Sequence, residues 1–152
     1  METKVKLKRL ESNEEIKILD IIYQEEDLMN IYISYKNIRS RLVNSCYTAL
    51  IEKDRKTIGF IMIVNNPKTD VNEIDMGILK EYRNQGYGTE ALGILKDIII
   101  QNGLDIEIKV NRQNISAITS LVYNGFSLVR QGQNYYYYSL SNNNKSKVKN
   151  YE

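Results

Sequence analysis

Ten consecutive residues decide the fold of this chain: Arg83-Asn-Gln-Gly-Tyr-Gly-Thr-Glu-Ala-Leu92. They follow an apolar run, residues 74–79, that is typical of a strand, and they lead into a helical pattern. The two glycines let the backbone come close to an anion. The first amides of the helix lack an intrahelical partner and carry the positive end of the helix dipole. The segment therefore predicts a site for the pyrophosphate of a cofactor.

The spacing of the glycines narrows the class of cofactor. The segment lacks the Lys-Ser/Thr ending of a nucleoside-triphosphate loop, in which the lysine reaches the outer phosphates. It also lacks the third glycine of a dinucleotide fingerprint, and no acidic residue follows at the spacing that would reach a ribose. What remains is an Arg-x-x-Gly-x-Gly loop, with Arg83, Gly86 and Gly88 at its fixed positions.

A second motif lies farther along the chain, Asn114-Ile-Ser-Ala-Ile-Thr-Ser-Leu-Val-Tyr-Asn-Gly-Phe126. The two motifs, in this order and separated by a helix and a strand, resemble the coenzyme A loop and the later Asn…Gly-Phe motif of the GNAT superfamily of N-acetyltransferases. The resemblance covers about Thr57 to Leu140, and the N-terminal third matches only in its order of elements. It implies a mixed α/β fold, with a central, twisted, mostly antiparallel sheet of six to seven strands flanked by about four helices.

Length and composition fit one globular domain. The chain has 152 residues, of which 42% are hydrophobic and 26% charged, and domains commonly run to about 100–150 residues. We expect a single domain over residues 1–140 and a disordered tail over residues 141–152, which are rich in Asn, Lys and Ser. The formal net charge is +2, and without a dense basic stretch we expect no nucleic-acid partner. No apolar run approaches the length of a membrane span, so we expect no membrane partner and a cytoplasmic protein.

The chain contains no histidine and a single cysteine, Cys46. Without histidine, a serine triad of the common type and a cysteine nucleophile with a histidine base are both excluded. One cysteine cannot fill an ordinary Cys/His zinc site, so we expect no metal. Because Cys46 falls in a predicted strand, we expect a buried, inert thiol.

Periodicity and turn residues predict the order of elements. A strand at Val5–Leu10 precedes two helices, one capped by Ser12 or Asn13 and one within Glu26–Arg41. The remaining predicted elements are strands at Cys46–Glu52 and Thr57–Val64 around a tight turn, a loop at Asn65–Asn72, a strand at Glu73–Leu79, a helix at Gly86–Gln101, a strand at Leu104–Val110, a helix at Ser116–Asn124, and strands at Ser127–Arg130 and Tyr135–Leu140.

The resemblance implies acetyl-CoA as co-substrate and suggests which residues hold it. Met76, Gly77 and Ile78 would pair with the pantetheine arm as an added strand does. A bulge at Gly77 would splay this strand from the next one and open the cofactor slot; the alternative is a glycine needed only for packing. An amide at Gly77 or Ile78 would receive the thioester oxygen as it becomes an anion. The amides that would face the pyrophosphate belong to Asn84, Gln85, Gly86, Tyr87, Gly88 and Thr89.

For each of two polar residues, a contact with the cofactor and a purely structural or solvated role are both possible. Arg83 would neutralise phosphate charge or would simply be solvated. Asn114 matches the family's asparagine near the cofactor arm, or it would only cap the following helix.

The reaction implied by the resemblance, direct acetyl transfer to an amine, requires a base. Glu73 lies ten residues before Arg83, near the place where many relatives carry a strand glutamate that acts through water. Asp75 follows on the same face, and Glu107 on the next strand is a third candidate. Each of the three is also compatible with a solvated carboxylate. Leu121 stands where many relatives have a tyrosine acid, and Tyr123 should point to a different side of the helix.

The run Tyr135–Tyr138 predicts either a substrate groove or, preferably, a tyrosine-rich edge strand that could support a homodimer. The function expected is transfer of the acetyl group of acetyl-CoA to a primary amine, on a small molecule or on a protein N-terminus or lysine. The alternatives are a GNAT-like domain that binds acyl-CoA with little or no catalysis and, from another class, an interaction or nucleic-acid module.

Overall fold

The computed structural model describes residues 4–11, 14 and 40–140. The two helices predicted before β2 fall almost wholly outside these residues, as does the tail at 141–152. Residues 40–43 are helical, and Lys80–Tyr82 form one 3₁₀ turn. The described strands and longer helices are β1 (Lys6–Arg9), β2 (Ser45–Lys53), β3 (Lys56–Asn66), β4 (Val71–Ile78), α1 (Tyr87–Gln101), β5 (Ile106–Asn111), α2 (Ile115–Tyr123), β6 (Ser127–Gln131) and β7 (Tyr135–Leu140).

The described strands form one mixed sheet in the order β1-β2-β3-β4-β5-β7-β6. Every neighbouring pair is antiparallel except β4 and β5, which are parallel. Helix α1 makes the crossover between these two, as a parallel connection requires. The predicted fold class, a mixed and mostly antiparallel sheet, is therefore confirmed.

The hairpins follow from local sequence. Asp54 and Arg55 both have positive φ, 50° and 67°, which is the geometry of the tight turn that best matches strand twist. The predicted loop at Asn65–Asn72 is too long, because Asn65 pairs with Asn72 and Asn66 with Val71 in the β3–β4 ladder. The side-chain amide of Asn65 also donates from Nδ2 to Oδ1 of Asn72 at 3.2 Å. Polar side chains thus continue the ladder past the point where apolar alternation stops.

Cys46 is exposed, so the prediction of a buried thiol is wrong. The β2–β3 register shifts between Ser45 and Tyr47. The residue inside such a bulge has no partner on the next strand. Cys46 therefore leaves the alternation that would have buried it.

The main core lies between the sheet and α1. Ala91, Leu95 and Ile99 are fully buried against Ile61 and Ile63, one helical face on one sheet face, as the stripe predicts. Each leucine or isoleucine of this set contributes about 1.5–3 kcal/mol by leaving water. The helix ends at the predicted stop, where Asn102 is the C-cap and Gly103 has a φ of 64°.

Strands β4 and β5 share one end and separate at the other. Their only backbone pairing joins Asn72 to Ile106, whereas β5 pairs with β7 along its whole length. The bulge predicted at Gly77 is wrong, because the β3–β4 register is unbroken from Val71 to Ile78. The close backbone approach falls on Gly59, where an added Cβ would collide with the carbonyl oxygen of Gly77.

The tyrosine strand β7 is not an edge strand, contrary to our prediction, because it lies between β5 and β6. Alternation nevertheless sends its rings to opposite faces. Tyr136 and Tyr138 pack edge to face with centroids 6.5 Å apart. On the other face, the cation of Lys109 lies over the ring of Tyr135 and that of Arg130 over the ring of Tyr137, 4.3 and 4.1 Å from the ring centroids. Of the two strands at the ends of the described sheet, the C-terminal one is β6.

Candidate active site

The glycine loop adopts the conformation that an anion site needs. Asn84 has a φ of 61° and Gly86 a φ of 87°, both left-handed, and Gly86 is the N-cap of α1. The first helical hydrogen bond runs from the amide of Glu90 to the carbonyl of Gly86 at 3.1 Å. The amides of the first helical turn therefore precede the hydrogen-bonded ladder and lie at the positive end of the helix.

The start of α1 lies over the separated end of β4. A Cβ built on Gly88 would sit 3.5 Å from Met76 Cε and 3.7 Å from Ile78 Cγ1. Arg83 donates from Nε to the carbonyl of Ile78 at 2.8 Å, which fastens the loop to the end of the strand. The predicted cofactor loop and the predicted pantetheine strand are thus neighbours.

The β3–β4 ladder determines which backbone groups of β4 face the opening. The amide of Leu79 donates to the carbonyl of Ile58 at 2.8 Å, and antiparallel pairs alternate between bonded and non-bonded. In this alternation Gly77 bonds to Phe60 on β3. The amides of Met76 and Ile78 consequently point the other way, towards the gap left by β5.

Helix α2 is tied to the first turn of α1. The hydroxyls of Thr89 and Ser120 are 2.5 Å apart. The buried Asn124 donates from Nδ2 to the carbonyls of Thr89 and Ser120, at 3.1 and 2.9 Å. Asn114 caps α2 by accepting from the amide of Ala117 at 3.2 Å, so its plain role is realised. The second motif is therefore hydrogen-bonded to the first turn of α1, which follows the glycine loop.

The residue at the expected acid position is part of the core. Leu121 is 4% exposed and packs with the residues of the main core, whereas Tyr123 is 79% exposed. The prediction that these two point to different sides of α2 is confirmed.

Two of the three predicted base candidates share one cation that the sequence did not reveal. Arg41 donates from Nη1 to Glu73 Oε1 at 2.7 Å, from Nε to Asp75 Oδ2 at 2.7 Å and from Nη2 to Asp75 Oδ1 at 2.8 Å. Glu73 Oε2 has a longer contact, 3.4 Å, with the amide of Asn66. Arg41 precedes β2 by only a few residues, and no pattern in the sequence joins it to β4.

Burial and charge act in opposite directions within this cluster. Burial raises the pKa of Asp75 above its ordinary value and the charge of Glu73 adds to the rise, while the hydrogen bonds and charge of Arg41 oppose it. For Arg41 burial would lower the pKa, but the two carboxylates outweigh it and the pKa is raised. The guanidinium therefore stays charged at every working pH.

Glu107, the third candidate, lies on the neighbouring strand and is paired with a different arginine. It accepts from Arg130 at 3.1 Å and lines a shallow cavity of about 290 Å³ with Asn72, Ile106 and Ser139. Because Asn72 and Ile106 are the paired ends of β4 and β5, this cavity marks the closed end of the gap. The open end, near Ile78, is elsewhere.

The family model of the acetyltransferase (GNAT) family matches residues 11–121. The chain belongs to the GNAT acetyltransferase family. The match rests on more than the glycine loop, because it begins before β2 and extends to Leu121 in α2. Acetyl-CoA is the co-substrate typical of GNAT enzymes.

Solved GNAT structures share the fold at low sequence identity. RimL, a ribosomal alpha-N-protein acetyltransferase in complex with coenzyme A, is 12% identical with a TM-score of 0.72, covering 92% of this chain and 95% of that one. Spermidine N-acetyltransferase from Vibrio cholerae, with CoA and spermine, is 14% identical with a TM-score of 0.70, covering 93% and 97%. PseH from Campylobacter jejuni, with acetyl coenzyme A, is 20% identical with a TM-score of 0.60, covering 90% and 98%.

No curated protein matches the sequence. Within the described part of the chain, no helix has the length and apolarity needed to cross a membrane.

Proposed function

We propose that this GNAT protein transfers the acetyl group of acetyl-CoA directly to a primary amine, on a small molecule or on a protein N-terminus or lysine, with both substrates bound. One observation carries the proposal: at the end that lies under the glycine loop, β4 is not paired with β5, so one strand edge and one helix N-terminus lie side by side. A pantetheine arm pairs with a strand edge, and a pyrophosphate binds helix amides.

In this scheme the cofactor is held chiefly by backbone. The amides of residues 84–89 bind the pyrophosphate, and the edge of Met76 and Ile78 binds the arm. Arg83 acts through the carbonyl of Ile78 and adds positive charge beside the loop. Asn114 stays a candidate for the cofactor arm, although its side chain already caps α2.

The chemical step needs a neutral amine. An alkylamine has a pKa of about 10.4, so freeing it at pH 7 costs about 4.6 kcal/mol unless the site lowers that pKa. Glu73, acting through water, takes the proton as the amine nitrogen attacks the thioester carbon. The carbonyl oxygen becomes an anion stabilised by the amide of Ile78, since the Gly77 amide is used in the ladder. The C–S bond then breaks, and the thiolate takes its proton from water because Leu121 offers none.

The second candidate, a domain that binds acyl-CoA without efficient catalysis, is favoured by the buried leucine at the acid position. Calorimetric titration with acetyl-CoA, paired with a panel of primary amines and a thiol-release assay, separates the two. Micromolar binding with amine-dependent release of CoA supports transfer. Binding without release for every amine supports the second candidate, and no binding by the folded protein contradicts both.

A further inference from the structure

We propose that Arg41 is a positioning residue that withholds Asp75 from proton transfer and leaves Glu73 as the base. The proposal rests on the proposed function, because it concerns the same reaction. It resolves a choice that the strand alone leaves open, since both carboxylates share one face of β4.

The contacts of Arg41 are unequal. Both oxygens of Asp75 receive a guanidinium hydrogen bond, at 2.7 and 2.8 Å, whereas Glu73 receives one, at 2.7 Å on Oε1. A two-point guanidinium–carboxylate contact fixes both partners in one plane and occupies the carboxylate. Glu73 Oε2 has only the 3.4 Å contact with Asn66 and stays available to a water or an amine.

Exposure points the same way. The side chain of Asp75 is 13% exposed and that of Glu73 is 28% exposed. Asp75 lies two residues nearer to Ile78 than Glu73 does, so position along the strand alone would favour it. Arg41 reverses that preference, because a base must be able to receive a proton from the substrate side.

The charged neighbours of the cluster are few among the described residues. Across the ladder, Asp75 faces Met62 and Glu73 faces Val64, both uncharged. On β5 Glu107 shares the sheet face but is engaged by Arg130, and Lys109 lies against the ring of Tyr135. Among the described residues, Arg41 is therefore the cation that lies between the two carboxylates and offsets their repulsion. Without it, two carboxylates two residues apart would repel.

The first test reads the carboxyl groups directly and needs no acceptor. Carbon-13 NMR titration of Glu73 and Asp75 is run on the wild-type protein and on Arg41→Met, with assignments from Glu73→Gln and Asp75→Asn. In Arg41→Met we expect the pKa of Asp75 to rise further, because burial and the charge of Glu73 are then unopposed. An unchanged pKa of Asp75 in the folded variant overturns the proposal. Arg41→Gln, which also removes the cation, carries the same test if Arg41→Met does not fold, whereas Arg41→Lys keeps a cation and should shift the pKa less.

The second test uses turnover. In Arg41→Met the acid limb of the kcat profile moves to higher pH, kcat falls, and KM for acetyl-CoA stays at the wild-type value. Arg41→Lys recovers part of kcat. Asp75→Asn lowers kcat only a few-fold, whereas Glu73→Gln lowers it far more; equal losses in the two variants overturn the proposal.

A matched control removes another arginine–carboxylate pair. Arg130→Met deletes the contact to Glu107 on the neighbouring strand β5 and should leave the acid limb in place. A shift there would mean that Glu107 is the base, and it would overturn the role of Arg41. A wild-type protein that binds acetyl-CoA but acetylates no amine counts against the proposed function, while the NMR titration still decides whether Arg41 controls the two carboxyl groups.

Discussion

The two faces of β4 are built by different means. On the α1 face, the proposed cofactor site is made of backbone: a glycine loop, the first turn of a helix and a strand edge at Met76 and Ile78. On the opposite face, Glu73 and Asp75 depend on a side chain, Arg41, that comes from before β2. Backbone sites are encoded by local sequence, whereas a side-chain cluster depends on which strands become neighbours. The first face should therefore tolerate side-chain changes that the second does not.

The largest effect is expected on the side-chain face. Glu73→Gln removes the proposed base and keeps nearly the same shape. We expect kcat to fall by about 10²–10⁴-fold, the usual contribution of a positioned base, with the Kd of acetyl-CoA unchanged. Steady-state kinetics and calorimetry measure the two quantities.

Glu107→Gln is the control for this change, because Glu107 is a carboxylate on the neighbouring strand that is paired with Arg130 instead of Arg41. A comparable loss of kcat in the control, or none in Glu73→Gln, would place the base elsewhere.

On the α1 face, we expect the largest loss when the hydrogen bonds between α2 and the first turn of α1 are removed. Asn124→Ala removes the donor that holds the carbonyls of Thr89 and Ser120 and leaves buried groups without partners. We expect the free energy of unfolding to fall by about 1–3 kcal/mol and acetyl-CoA binding to weaken. Urea unfolding with and without acetyl-CoA measures both.

Asn102→Ala, at the exposed C-terminal end of α1, serves as the comparison. Its side chain donates to the carbonyl of Ile98 at 2.7 Å, but water can replace that bond. If the two variants lose equal stability, the bonds to Thr89 and Ser120 are not what supports the loop.

A smaller loss is expected when only the loop conformation is strained. Gly86→Ala adds a Cβ into open space but at a φ of 87°, where an L side chain costs about 1–2 kcal/mol. The Kd of acetyl-CoA should rise by about one order of magnitude, because the strain opposes the bound loop. Calorimetry provides the value.

Gly132→Ala is the matched glycine, since its added Cβ would make only an ordinary 3.4 Å contact. An unchanged Kd in Gly86→Ala would argue that the left-handed turn is not needed for the cofactor.

The smallest effect is expected at an exposed ion pair between β5 and β6. Arg130→Met removes an exposed pair with Glu107, in which the arginine side chain is 62% exposed, and a stacking contact on Tyr137. Surface pairs contribute about 0–1 kcal/mol, and exposed cation–π contacts about 0.5–1 kcal/mol. Thermal unfolding should show a small decrease in stability and kinetics should show none. A loss of stability above about 2 kcal/mol would mean that Arg130 stabilises the fold more than an exposed surface contact can.

The sequence by itself determined the glycine loop and the helices that follow it. The Arg83–Leu92 loop, the stripe on α1, the stop at Asn102 and the second motif all follow from glycine freedom, helical periodicity and capping, which act within a few residues. The family follows from the same segments. Local patterns also predicted the hairpin at Asp54 and Arg55.

Only the tertiary structure decided the rest. The place of β7 inside the sheet, the exposure of Cys46 and the approach of Gly59 to Gly77 depend on which strands pair and where their registers shift. Above all, Arg41 reaches Glu73 and Asp75 across more than thirty residues of chain, and no local pattern encodes such a contact. Local rules fix conformation, but the cation that meets a carboxylate is fixed by packing, because packing alone determines which distant side chains share a face.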